Sequence, residues 1–340
     1  MIKIHHYTTA ARIKKTAVAL LTLVGLCAQG QELKHGSIDR KLLVSRHNLR
    51  ITDRNLQGPA QVGNGHFAYG FDITGLQTFS AEANTMSDWG WHKFPEPKGQ
   101  TPADFKGQTW DTQGRMVRYD LDNPAQPELT DWMVANPQRL NLGRFGFILK
   151  KKDGTSVALQ TLENPVQELN LWTGVATSTF TVDGKPVKVI TVAHPGEDAI
   201  AIHVEAPGLN DGQIGFFLEF PFASLEQFGN GADWNNPNKH QTRATFTRNS
   251  AHFRRTLDAT NYEADLTWEN GAKIKETKLH RYELMPANTN QVNIVLRFSK
   301  QPVKTPVPTY SQVKKYSETH WAEFWNSGGA IDLSGSKDPR

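Results

Sequence analysis

Along most of the chain, apolar and polar residues alternate with the period of a β-strand, and turn residues separate the runs. Three pairs of runs carry hairpin signals. Phe145–Lys150 and Ser156–Leu162 flank Lys152-Asp153-Gly154, and Ala176–Val182 and Lys185–Ala193 flank Asp183-Gly184. Tyr262–Trp268 and Ala272–Lys278 flank Glu269-Asn270-Gly271. Asp-Gly and Asn-Gly accept the positive φ that twisted hairpin turns require. Further strands are predicted over Phe67–Ile73, Ala199–Glu205, Gln213–Phe220, Thr242–Arg248, His252–Leu257 and Gln291–Phe298. This spacing suits a large antiparallel sandwich and not βαβ units.

Two stretches depart from the rhythm. Residues 84–140 are rich in Trp and Pro, with alternation only near Arg115–Tyr119, and read as a long irregular insertion. After Phe298, a Pro-rich linker (Lys300 to Thr309) precedes a predicted helix. Thr309 and Gln312 have the capping-box spacing, and Tyr310, Val313, Ser317, Trp321 and Phe324 approximate one face. Gly328-Gly329 ends that helix. Asp338-Pro339 then resembles a new helix start, so the chain is expected either to continue into further structure or to end in a polar tail.

Charge adds an address. The chain has 38 Lys+Arg against 34 Asp+Glu, but the first 30 residues hold four of the basic residues and no acidic ones, leaving 34 against 34. The basic pI is therefore no argument for nucleic acid binding. Residues 1–30 read as a secretory signal peptide. It has a basic start ending at Lys14-Lys15, an apolar run Ala17–Leu26 too short for a membrane span, and small residues Ala28 and Gly30 at the cleavage site. Lipidation at Cys27 is the competing reading, disfavoured by Leu26 before it. Without Cys27 the mature chain has no cysteine and so no disulfide. The expected location is periplasmic or secreted, with no membrane span.

Several segments together resemble bacterial proteins related to family 65 of the glycoside hydrolases. They are Val62-Gly63-Asn64-Gly65-His66-Phe67-Ala68-Tyr69-Gly70-Phe71-Asp72 with Thr74-Gly75-Leu76-Gln77, and Met86-Ser87-Asp88-Trp89-Gly90-Trp91-His92. Leu169-Asn170-Leu171-Trp172-Thr173-Gly174 and the helix end His320-Trp321-Ala322-Glu323-Phe324-Trp325 complete the set. The resemblance implies a mostly β, galactose-mutarotase-like supersandwich over residues 31–299. A linker and helix over 300–340 would then lead into an (α/α)6 barrel that this chain does not contain. It also implies an oligosaccharide or glycoside partner and catalytic carboxylates in that barrel, so none is assigned here. A stand-alone secreted carbohydrate-binding protein is the alternative.

Asp88, Trp89, Trp91 and His92 are the leading ligand candidates. Sugar rings present apolar C–H faces to aromatic rings, and their hydroxyls need fixed polar partners. In an extended loop Trp89 and Trp91 would point to one side; the competing reading is that they plug the loop onto the sandwich. Asn64 and His66 are second candidates, although Asn64-Gly65 is first of all a turn. Trp234 lies in a polar loop that otherwise reads as a solvated connection. Trp321 and Trp325, four apart on the helix, read as packing residues. No zinc spacing, Walker loop, nucleophile elbow or dinucleotide fingerprint is present, so no cofactor or metal is expected.

Overall fold

The computed structural model describes residues 38–337 apart from positions 81, 120–122, 227 and 270. The signal-peptide segment 1–30 and the Asp338-Pro339 helix start lie outside the described residues. The chain divides into a small unit, Met1–Leu43 with Gly328–Arg340, and a large one, Val44–Ser327. In the small unit the Arg40 guanidinium donates to the Gly328 carbonyl at 2.6 Å. The Asp39 side chain accepts from the Leu42 amide at 2.9 Å.

The large unit is an antiparallel sandwich. Its main sheet has nine strands. From edge to edge they are Leu49–Ile51, Glu163–Asn170, Val175–Val182, Lys185–Ala193, Ala199–Glu205, Gln291–Ser299, Thr260–Trp268, Ser250–Leu257 and His240–Phe246. A second sheet orders Lys273–Lys278, Arg281–Met285, Ile214–Glu219 and Arg144–Leu149. A third joins Ala60–Gly63, Phe67–Phe71 and Thr85–Ser87. Between them lies one core, including the parallel ring stack of Phe145 on Phe216 at 5.8 Å.

Burial along the strands explains their composition. Outer strands such as Val175–Val182 and Ser250–Leu257 alternate between buried and more exposed positions. Ala199–Glu205 and Gln291–Ser299 are buried almost continuously, because both of their faces are covered. Ile200, Ile202, Ile294 and Leu296 face the main core, while Val192, Ala201 and Val295 form a second cluster with Tyr310 and Val313. Those two residues belong to the helix Tyr310–Asn326, which lies on the outer face of the large sheet.

The helix starts as predicted. The Thr309 hydroxyl accepts from the Gln312 amide at 3.3 Å, and Gln312 Oε1 accepts from the Thr309 amide at 2.9 Å. It is seated on the turn after Asn170. The Ser317 hydroxyl donates to the Thr173 carbonyl at 3.0 Å, and Trp325 Nε1–H donates to the Leu171 carbonyl at 2.6 Å. Gly174, with φ +66°, leaves room for Trp321: an added Cβ would collide with the indole and stand 2.9 Å from Ser317 Oγ.

A second internal clamp joins the sheets. The buried Asp72 carboxylate accepts from the amides of Thr74 (2.9 Å), Phe79 (2.6 Å) and Ser80 (3.2 Å). Gln77 reaches from this loop into the second sheet, exchanging hydrogen bonds with the Phe145 backbone: 2.9 Å from its own amide and 3.0 Å to its side chain.

The expected antiparallel sandwich and terminal helix are present, with local departures. The hairpin about Asp183-Gly184 is formed, with both turn residues at positive φ and Val182 opposite Lys185. Beyond Lys152-Asp153-Gly154 the return arm is a single bridge, Lys150 to Ser156, and then the 3-10 turn Leu159–Thr161. Arg144–Leu149 pairs instead with Ile214–Glu219. Nor do the runs around Glu269-Asn270-Gly271 form a hairpin. Thr260–Trp268 belongs to the large sheet, whereas Lys273–Lys278 crosses to the second and pairs with Arg281–Met285. Local turn chemistry allowed hairpins here, but burial of both segments against opposite layers decided otherwise. The irregular stretch also contains a helix, Pro127–Ala135, beginning at the helix-compatible Pro127.

Gly174→Ala is expected to cost about 2–4 kcal/mol, from left-handed backbone strain and overpacking against Trp321. Chemical denaturation with tryptophan emission as readout checks this; an unchanged midpoint would remove Gly174 from the seating of the helix.

Candidate functional site

The last turns of this helix face the end of the three-stranded sheet across a cavity of about 730 Å³. One wall carries Trp321, Phe324 and Trp325, whose rings pack together at 5.1–6.3 Å. The floor is apolar, with Val62, Met86, Leu169 and Leu171. The opposite rim carries Trp91, His66, Asp88 and Arg139. Trp91 is 47% exposed and Phe324 51% exposed, so both aromatic side chains are accessible from the cavity.

The rim follows from the local chain. Phe67 pairs with Ser87 across the third sheet, and the Asp88 amide donates to the His66 carbonyl at 2.8 Å. His66 and Asp88 therefore stand side by side, with Nδ1 and Oδ2 2.7 Å apart. Both are largely exposed, so the pair orients groups more than it stabilises the fold. Trp91 pairs with Arg139 in a short two-stranded ladder. That register places Arg139 beside Trp91 at the rim, and the Arg139 side chain makes no hydrogen bond or ion pair among the described residues.

The segment after Ser87 turns instead of remaining extended. The Gly90 amide donates to the Ser87 carbonyl at 3.0 Å, and the Trp91 amide to the Trp89 carbonyl at 2.9 Å. Trp89 and Trp91 consequently point apart. The Trp89 indole turns inward, packs on Tyr262 at 6.2 Å and donates to the Asp198 carboxylate at 2.5 Å. The Trp91 indole N–H donates to the Asp88 carbonyl at 2.9 Å, which fixes the ring at the rim.

The remaining candidates lie away from this cavity. His92 is buried, with its ring nitrogens at 2.9 Å from Thr260 Oγ1 and 3.1 Å from Asp258 Oδ2, and its ring edge-on to Phe94 at 4.5 Å. The Asn64 side chain serves the backbone: Oδ1 accepts from the amides of His66 and Phe67, and Nδ2 donates to the carbonyls of His194 and Glu197. Trp234 borders a separate cavity of about 570 Å³ beside His240 and His280. Thus His66, Asp88 and Trp91 come together, while Trp89, His92, Asn64 and Trp234 do not join them. Arg139 escaped sequence reading because only strand pairing brings it to Trp91. Trp321 and Trp325 read as packing residues, and part of each does pack, while the rest joins Phe324 in the cavity wall.

Chemically the cavity offers aromatic faces, a guanidinium and an imidazole–carboxylate pair. Asp88 is the carboxylate among its described lining residues. Glycoside hydrolysis generally uses two flanking carboxyl groups. Asp198, nearby in the fold, is occupied by the Ser87 hydroxyl at 2.6 Å and the Trp89 indole. The described lining residues of the cavity therefore include one carboxylate, Asp88, and not two.

No known protein family and no curated protein matches the sequence. Among solved structures, a protein from the human microbiome described as a kojibiose phosphorylase aligns at 10% identity with a TM-score of 0.47. That alignment covers 84% of this chain and 36% of that one. A bacterial glucoamylase solved with acarbose aligns at 10% identity and a TM-score of 0.39, over 82% of this chain and 41% of its own. A family GH92 α-mannosidase from Bacteroides thetaiotaomicron aligns at 9% identity and a TM-score of 0.24, over 55% and 30%. This chain therefore spans well under half the length of these proteins, and the likeness is one of fold.

Burial lowers the basicity of His92, His240 and His280, with the neighbouring Arg255 charge adding to the effect at His240, which is pushed down to about 3. An unfolded imidazole takes up a proton below its ordinary 6.5, whereas native His240 stays neutral until about 3. The unfolded state thus binds more protons in that window. Stability from this group is full above pH 6.5 and drains as pH falls toward 3. Melting temperatures measured from pH 7 to pH 4 are expected to fall, and less steeply in His240→Gln. Equal slopes in the two proteins would show that His240 does not contribute.

Proposed function

We propose that this chain is the carbohydrate-associated sandwich of an exported glycoside hydrolase, and that the cavity between Trp91 and the terminal helix receives a neutral saccharide. The cavity carries this reading. The Trp91 and Phe324 faces suit the C–H faces of sugar rings. His66, Asp88 and Arg139 supply donors and acceptors for ring hydroxyls. With Asp88 its only described carboxylate, the catalytic acid and its partner are assigned to residues outside this chain, in keeping with the barrel that the family 65 resemblance implies. The second reading, a stand-alone carbohydrate-binding protein, is favoured by the aromatic walls on two sides of the cavity, which can hold a sugar ring without a catalytic pair.

Calorimetric titration of this chain with neutral disaccharides is expected to show saturable binding that Trp91→Ala weakens about tenfold, the scale of one good aromatic platform. No hydrolysis is expected. Binding that survives both Trp91→Ala and Phe324→Ala unchanged would sink the cavity assignment; turnover by the chain alone would sink the placement of the catalytic groups elsewhere.

Export follows from the first 30 residues. Sequencing of the protein recovered from a periplasmic fraction is expected to begin at Gln31. An intact N-terminus on a protein found only in the cytosol would contradict it.

A further inference from the structure

The separate cavity beside Trp234 carries its own chemistry. It lies at the end of the second sheet, encloses about 570 Å³ and shares no lining residue with the aromatic cavity. Its inner wall includes a pair of imidazoles, His240 and His280, with centroids 3.8 Å apart. His280 uses both nitrogens within the protein: Nε2 donates to the Pro237 carbonyl at 2.8 Å, and Nδ1 accepts from the Thr242 hydroxyl at 2.7 Å. His240 is different. Its Nδ1 accepts from the Arg255 guanidinium at 2.5 Å. A neutral imidazole that accepts at Nδ1 carries its proton on Nε2. That N–H has no hydrogen-bond partner among the described residues, although His240 is only 6% exposed and borders the cavity.

Arg255 stands behind it as a buried cation. It is fully enclosed and donates to the carbonyls of Gln241 (3.0 Å) and Pro221 (2.9 Å), to the Thr242 hydroxyl (2.5 Å) and to His240. None of its hydrogen-bond partners is a carboxylate. Its Nε also donates to the Tyr262 hydroxyl at 3.4 Å and the Phe220 ring lies 4.9 Å away, so every N–H is spent; a hydrogen-bonded neighbour of such a cation is polarised in turn. His240 therefore presents a polarised N–H to the cavity.

The mouth is consistent with this polarity. Arg281 pairs with Glu219 and Glu283, and Arg144 with Glu219, so these charges are matched among themselves. Asp233 accepts from the Asn235 amide and the Asn236 side chain. Lys278 is exposed and makes no ion pair among the described residues. The Trp234 ring, 38% exposed, forms an apolar face on the same cavity. The lining thus holds three cations and three carboxylates, and the donors left without a hydrogen-bond or ionic partner among the described residues are the His240 N–H and the Lys278 ammonium, next to one aromatic platform.

We infer that this cavity binds a sugar bearing a carboxylate, its ring on Trp234 and its carboxylate received by His240 Nε2–H and the Lys278 ammonium. The ring rests on the carbohydrate reading above; the carboxylate rests on this cavity alone.

Calorimetry on the full chain with glucuronate, glucose and acetate separates the two parts. Glucuronate is expected to bind saturably and at least about tenfold more tightly than either glucose or acetate, the scale of one charge-assisted hydrogen bond. Lys278→Ala and Trp234→Ala, both at exposed positions, are each expected to weaken it about tenfold while circular dichroism stays unchanged. Saturating neutral disaccharide should not displace it, so this site and the aromatic cavity are read from different ligands. Absent glucuronate binding, binding unaltered in both variants, displacement by neutral disaccharide, or equal affinity for glucose or acetate would each overturn the inference.

Discussion

The outer face of the large sheet must be covered, and much of the molecule follows from how that is done. Ala199–Glu205 and Gln291–Ser299 are apolar on both sides. One side is satisfied by the core; the other would leave Val192, Ala201 and Val295 in water. Tyr310 and Val313 close it, so the helix is held there by apolar burial. Its start is set by the Thr309–Gln312 box and its later turns by Gly174, whose missing side chain admits Trp321. The aromatic cavity is a by-product of this seating. Once Tyr310 and Val313 are fixed, the helix carries Trp321, Phe324 and Trp325 past the edge of the sheet, opposite Trp91.

The same logic explains why the segments of the family 65 resemblance are spread along the chain. The Phe71-to-Gln77 segment is a clamp, with Asp72 gathering loop amides and Gln77 bridging to the second sheet. The Leu169-to-Gly174 segment is the seat of the helix. The Met86-to-His92 segment divides its labour: Trp89 and His92 anchor inward, while Asp88 and Trp91 stay at the rim. The proposed ligand surface depends on scaffold residues drawn from the same short motifs.

Arg255 shows how a polar site can be hidden in a regular pattern. Ser250–Leu257 alternates, and positions 251, 253, 255 and 257 face inward. A guanidinium on an inward beat breaks the apolar rule, and the break was legible in the sequence as a charged residue between Phe253 and Leu257. Its meaning was not. Only the folded chain brings His240, from the neighbouring edge strand, and the Lys278-to-Arg281 turn, from another sheet, to the same place. Trp234 was visible as an exposed aromatic in a polar loop, but its neighbours come from sequence separations that no local rule spans.

Alternation, turn residues and capping signals were sufficient for the antiparallel class, the Asp183-Gly184 hairpin and the helix of residues 310–326, because each depends on contacts within a few residues. Pairing across the molecule was not. The Lys152-Asp153-Gly154 and Glu269-Asn270-Gly271 turns were given the wrong partners because local turn chemistry permits a hairpin without requiring one, while burial between layers selects the pairing. The side on which Trp89 and Trp91 project was likewise decided by hydrogen bonds around Gly90. Aromatic and polar residues could be named from the sequence. Which of them share a cavity was settled by tertiary structure, since a cavity is defined by surfaces that remain after the core has taken what it can bury.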